Sequence, residues 1–361
     1  MPKFYSVESK HGEPSRTGIL LVNLGTPDSP SVSDVRRYLR EFLWDPRVVE
    51  APRPVWWMVL NGIILTTRPA RSAKAYAKIW TENGSPLLHL SQQLTSALDD
   101  ECRQQGLEWD VRLAMRYGQP SIESVMQNMW KDGIRRILVV PLYPQYSATT
   151  TATVFDEVTR VAQKWRFIPE LRFINSYHDF KPYIHALAQS VQEYWSNHEK
   201  PEKLVMSFHG IPQEYFDSGD PYFCHCQKTA RLLAEKLGLS KDDWMVTFQS
   251  RLGPKKWLQP YTDHTLTELA KSGVKNIQVI CPGFSVDCLE TLEEIAMENK
   301  DTFLEAGGET YEYIPCLNHS SDHVECIKLL ADKHLKGWES NSMDSEMKAS
   351  RERAIDMGAK Q

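Results

Sequence analysis

The segment MSFHGIP sets His209 at the end of an apolar run, Leu204, Val205, Met206 and Phe208, directly before Gly210 and Pro212. Further along, PGFSVDCLETLEEIAMENK spaces Glu290, Glu294 and Glu298 four residues apart, so that on a helix three carboxylates share one face. Each feature has a plain alternative: a core histidine bonded to a backbone carbonyl, and a solvated acidic face. Chemistry enters if the two meet. A neutral imidazole facing a carboxylate can accept protons or hold a divalent first-row metal, and two protein ligands hold such a metal only transiently. That suits a step in which metal is handed on, and it excludes a structural zinc site, which closes its shell with four ligands.

The elements that must position these residues are legible as short apolar runs. In the first half they are Gly18 to Asn23, Val111 to Met115, Ile137 to Pro141 and Leu171 to Ile174, each ending in turn or polar residues and most followed by a helical pattern. This alternation predicts a parallel sheet covered by helices. The second half repeats it. TGILLVNLGTP aligns on EKLVMSFHGIP, with Gly25 on Gly210 and Pro27 on Pro212. WDVRLAMRYG aligns on WMVTFQSRLG, with Trp109 on Trp244 and Arg116 on Arg251, and KDGIRRILVVPLYP aligns on KSGVKNIQVICPGF. LRFINSYH and YEYIPCLNH then place His178 near His319, so four units recur in one order, which points to a duplicated α/β domain.

Between its first two strands the first half carries a stretch that the second lacks, including PVWWMVLNGIILTTRPARSAKAYAKIW. Two readings stand level for this aromatic insertion bordered by Arg53, Arg68 and Arg71: a helical pair capping the core, or a lip over a large apolar ligand that also touches a membrane surface. In open parallel sheets ligands lie beyond the carboxyl ends of the strands. Those ends hold Leu24, Arg116, Tyr117, Tyr143 and Ser147 in the first half, and His209, Gln249, Ser250 and the loop after Cys281 in the second. No GxGxxG or GxxxxGK occurs, which argues against a dinucleotide or a P-loop nucleotide.

Composition sets the outer limits. A chain of 361 residues with 41% hydrophobic content can bury a large core and suggests two domains. The net charge of -5, from 42 basic and 47 acidic residues, gives no electrostatic reason to expect nucleic acid. Seven scattered cysteines read as reduced thiols, and MPKFYSVESKHGEPSRTG has no apolar stretch of signal-peptide length, so the expected compartment is the cytoplasm.

With these residues in view, the chain resembles a ferrochelatase. GILLVNLGTPDSPSVSDVRRYLREFLWDPRV, RYGQPS, PLYPQYSATTT, SFHGIPQEYFDSGDPY, FQSRLGPKKWLQPYTD and FSVDCLETLEEI resemble that family's segments in the family's order, over about Thr17 to His319. The resemblance implies an α/β fold of two similar Rossmann-like domains, each a parallel sheet flanked by helices, with an active-site lip in the first. The expected division is 14–178 with the lip at about 45–80, then 179–335 with its last helix free to pack back on the first half, then a polar, frayed tail at 336–361.

It also implies a reaction: ferrous iron, as substrate, enters protoporphyrin IX and two pyrrole protons leave, giving protohaem. Carried over by motif, His209 and Glu290 are the catalytic and metal-binding pair. Leu24, Tyr76, Arg116, Tyr117, Tyr143, Ser147 and Trp257 are the expected porphyrin contacts, with Trp56 and Trp57 as further candidates for the slot. Arg68, Arg71 or Arg116 would meet the propionates, and Glu294 and Glu298 would form a proton exit or a metal feed. An iron–sulfur cluster is not expected, since no cysteine follows Cys326, and peripheral contact with the inner membrane is.

Smaller features weigh toward structure. Cys224, His225 and Cys226 sit within three residues but without a second ligand pair at zinc-finger spacing. Ser147 and Thr149 to Thr151 would cap a helix, and so would Asp287. Trp257 could equally be a core aromatic. Two rivals remain: a cobalt or nickel chelatase of the same fold, for which a second metal-facing histidine is expected in place of Glu290, and a non-catalytic porphyrin or haem carrier.

Overall fold

A computed structural model describes residues 4, 15–251, 253, 255–338 and 344–359. Two four-stranded parallel sheets organise it. The first contains β1 (Arg16–Gly25), β2 (Trp109–Tyr117), β3 (Ile134–Pro141) and β4 (Glu170–Phe173), in the order β2-β1-β3-β4. The second contains β5 (Lys203–His209), β6 (Trp244–Gln249), β7 (Asn276–Ile280) and β8 (Thr310–Ile314), in the order β6-β5-β7-β8. The recurrence of one strand order is what the internal repeat predicts. β1 and β5 are central, buried on both faces, and therefore read as unbroken apolar runs rather than as alternating ones.

The two sheets differ in one register. Between central and third strands the repeat holds residue for residue: Ile19 pairs with Leu138, and Leu204 with Gln278. Between central and second strands it does not. Ile19 pairs with Val111, but Leu204 pairs with Trp244, two residues short of the aligned Val246. A slip of two keeps every side chain on its own face. It also seats His209 beside Gln249 rather than Arg251.

The strand ends turn tightly. Gly25 has φ +111°, and a Cβ there would lie 1.8 Å from the Tyr117 carbonyl oxygen, so only glycine fits. Its repeat partner Gly210 is needed for a different reason: a Cβ would meet the Gln249 carbonyl at 2.9 Å and the Trp257 ring at 3.2 Å.

The insertion folds as the helix Arg53–Val59, a π-helical stretch Leu60–Ile64 and the helix Leu65–Ile79. One face packs on the helix Val32–Trp44, with Leu60, Leu65, Ala73 and Tyr76 buried against Val35, Tyr38 and Leu39. The other face leaves Val55, Trp57, Met58 and Ile63 more than half exposed. The largest apolar cluster runs through both halves, from Ile19 and Leu21 to Met206 and Phe208.

Part of the stretch 336–361, expected to fray, is described. Trp338 is 4% exposed, its indole N–H donates to Glu170 at 2.7 Å, and Arg172 stacks on its ring. Its aromatic surface gives this otherwise polar stretch something to bury on β4. Beyond it, Asp344–Asp356 is helical, with Arg353 in the last turn, where a cation suits the helix dipole.

Candidate active site

His209 ends β5 half-buried, and its Nδ1 lies 2.6 Å from the Gly210 carbonyl. A carbonyl can only accept, so Nδ1 carries the hydrogen and Nε2 is the ring atom left free to exchange a proton. Across the strand pairing, Gln249 takes a hydrogen bond from the Ser207 hydroxyl at 2.8 Å. Its amide then donates to the Glu290 carbonyl at 2.9 Å and to Glu294 Oε2 at 3.4 Å. The sheet edge is thereby tied to the acidic helix.

That helix is not α-helical. Glu290–Asn299 is a ten-residue π-helix, a form usually limited to single-turn bulges and frequent at functional sites. Glu290 and Glu294 are half-buried and Glu298 is exposed, so the stripe runs from the interior to solvent. Asp287 does not cap it. Its carboxylate accepts from the Thr291 and Tyr313 hydroxyls and from the Asn318 amide, while Thr291 Oγ1 accepts from the Cys288 N–H.

Glu294 accepts from the Ser250 N–H at 2.8 Å and from the Ser250 hydroxyl. Burial raises its carboxyl above the usual range, and the Ser250 bonds and His209 pull the other way. Glu294 therefore senses His209 across the end of the second sheet.

Glu290 faces tyrosines from the first half. Burial pushes the Tyr38, Tyr76 and Tyr143 phenols well up, and Glu290 adds to all three shifts. Leu24, Trp56 and Leu289 pack into the same cluster as Tyr38 and Tyr76. The Tyr143 hydroxyl is buried with no hydrogen-bond partner, which for a native polar group calls for an explanation, and a bound molecule supplies one. The lip places two cations nearby in sequence. Arg68 is half-buried, and its guanidinium is pushed down by burial and by Arg71.

Leu24, Tyr76, Tyr143, Glu290 and, through Glu294, His209 thus come together. Other expected contacts are engaged elsewhere. Arg116 pairs with Asp45 at 2.5 Å and donates to the Thr153 carbonyl at 2.8 Å, and the Tyr117 hydroxyl donates to Asp45 at 2.9 Å. The Ser147 hydroxyl donates to Asp220 at 2.9 Å, which ties its loop to the second half. It does not cap the following helix, nor does Thr150. Trp257 packs against Gly210, one residue past His209. Tyr38 and Asp45 were missed by sequence reasoning. The stripe Val35, Tyr38, Leu39 and Leu43 marks a buried helix face on which Tyr38 could have been found, whereas nothing local flags Asp45.

The Cys224–His225–Cys226 stretch is structural. His225 Nδ1 accepts from the Tyr146 N–H at 3.2 Å and its ring stacks on His178 at 3.6 Å. Among the described residues no group of three or more His, Cys, Asp or Glu side chains could hold a metal ion. Among them, too, no helix is long and apolar enough to cross a membrane.

Comparison with known proteins is consistent across scales. A family profile described as Ferrochelatase matches residues 16–335. The ferrochelatase of Pseudoalteromonas atlantica is 54% identical over 340 residues, 94% of each chain, and that of Nitrosococcus oceani is 48% identical over 366 residues, 99% of each chain. Among solved structures, SirB from Bacillus subtilis with Fe3+ superposes with a TM-score of 0.54 at 13% identity, covering 90% of this chain and 98% of that one. At that identity the likeness shows the fold alone.

Proposed function

The chain belongs to the ferrochelatase family and inserts ferrous iron into protoporphyrin in haem biosynthesis, and we propose that it does so between His209 at the end of β5 and Glu290 at the head of the π-helix. What supports this site is Leu289 from the second half packing into the apolar cluster of Tyr38 and Tyr76 from the first, which sets the adjoining Glu290 where its charge adds to the raised Tyr38, Tyr76 and Tyr143 phenols.

In this reading the macrocycle lies in the apolar slot of Leu24, Trp56, Tyr76 and Tyr143, with Trp257 behind Gly210, and its propionates meet Arg68 and Arg71. Arg116, Tyr117 and Ser147 act from behind as supports of that wall. His209 Nε2 accepts the pyrrole protons, Glu294 relays them along the acidic stripe, and Glu290 meets the incoming iron. Two N–H bonds break and release two protons, all four pyrrole nitrogens bond the iron, and the metal stays ferrous. The halves take the bounds 14–178 and 179–335.

The exposed face of Val55, Trp57, Met58 and Ile63 suits peripheral contact with a cytoplasmic membrane surface. The reading without an iron–sulfur cluster rests on the sequence, in which no cysteine follows Cys326.

The test is anaerobic insertion of Fe²⁺, and separately Co²⁺, into protoporphyrin IX and coproporphyrin III by wild type, His209→Ala and Glu290→Gln. Both variants should lose about 10²-fold or more in rate while still quenching porphyrin fluorescence. Full rates in both would remove the pair from the mechanism.

A further inference from the structure

Glu293 stands outside the Glu290, Glu294 and Glu298 stripe, yet its side chain is 8% exposed, more enclosed than a carboxylate normally tolerates without a partner. The partner is Lys78 Nζ, 2.5 Å away, near the end of the lip helix Leu65–Ile79. We propose that Lys78 and Glu293 are positioning residues for porphyrin: a latch that docks the lip helix on the π-helix and so sets the width of the slot between the two halves.

The lip is fastened to its own half by other means. Arg36 donates to the Leu65 carbonyl at 3.0 Å, and Trp56 to the Leu43 carbonyl at 2.7 Å. Those bonds hold the lip on the helix Val32–Trp44 but say nothing about its distance from the second half. The ion pair does, because it joins residues 215 positions apart across the cleft. Its neighbours are the two walls themselves. Tyr76, two residues before Lys78, senses Glu290, three residues before Glu293, and Leu289 inserts into the lip's apolar cluster. One ammonium therefore registers Tyr76 against Glu290. Glu298 and Asp301 also act on Lys78, so the lysine sits over the acidic face.

This rests on the reading of the lip as a porphyrin wall, and the experiment separates the two. Full-length Lys78→Met, Glu293→Gln, the double variant, Lys78→Arg and Arg68→Ala are compared for KM of protoporphyrin, KM of Fe²⁺, kcat, thermal midpoint and porphyrin affinity by fluorescence. Each single latch variant should raise porphyrin KM and Kd about three- to tenfold with iron KM within about twofold, and the double should be no worse than the poorer single. Lys78→Arg should restore porphyrin affinity. Additive losses, or losses shared equally by both KM values and the midpoint, would overturn the latch. If Arg68→Ala weakens porphyrin binding while the latch variants do not, the latch fails and the lip reading stands. If none of them moves porphyrin affinity, both fail.

Discussion

Ser250 closes on Glu294 from two sides, its backbone N–H 2.8 Å from Oε1 and its hydroxyl on Oε2. A left-handed backbone, φ +66°, turns both donors onto one carboxylate, a conformation that costs a serine free energy. The arrangement orients Glu294 toward the end of β5 without the full charge of a cation beside it.

Replacing Glu294 with Gln separates its proton chemistry from its cost. Burial raises the folded carboxyl above its unfolded value, so between those two values the folded state binds more protons and stability falls as pH rises. Glu294→Gln should match wild-type thermal stability at acidic pH and exceed it at neutral pH, while iron insertion slows by about 10²-fold. Melting curves across that range, paired with initial rates, check both halves of the statement.

Tyr143→Phe should be neutral or stabilising in the ligand-free protein, since the hydroxyl it removes is buried without a partner. If the porphyrin satisfies that hydroxyl, the same change weakens porphyrin binding by about 1 kcal/mol. Fluorescence titration beside thermal melting reads the two effects separately, and unchanged affinity would place Tyr143 outside the slot.

Breaking the pair behind the wall should act on the fold first. Asp45 and Arg116 are 5% and 12% exposed at the side chain, and Tyr117 shares the same carboxylate. Asp45→Asn strands a buried guanidinium and should destabilise by about 3–5 kcal/mol in urea unfolding. A variant that lost porphyrin affinity at full stability would instead make Arg116 a direct propionate contact.

Acid should loosen the seam between the halves. Burial, and then the facing His225, hold the His178 imidazole down to about 4, with Asp179 opposing and Lys228 assisting. A histidine lowered in the folded state takes up its proton more readily when unfolded, so stability is present above its ordinary value and is lost as pH falls from about 6.5 toward 4. His178→Asn should flatten that part of the stability curve, as followed by melting temperature.

Much of this was written in the chain because strand ends announce themselves. A short apolar run with no polar alternation, bounded by turn residues such as Gly and Pro, reads as a strand covered on both faces, and such a strand delivers its last residues to the ligand edge. MSFHGIP therefore put His209 at the cleft, and the aligned TGILLVNLGTP did the same for Leu24. The insertion was legible from its tryptophans, and the acidic stripe from its spacing.

What only the tertiary structure decided are distances between residues far apart in sequence. The two-residue slip that puts Gln249 rather than Arg251 beside His209 leaves the hydrophobic pattern intact on both faces, so no pattern could reveal it. Whether Arg116 meets a ligand or Asp45 depends on a helix 71 residues away. The π form of Glu290–Asn299 gives no spacing signal that distinguishes it from an α-helix over a single stripe. Local sequence fixes which face of an element is apolar, and long-range packing alone fixes which charge each buried charge will find.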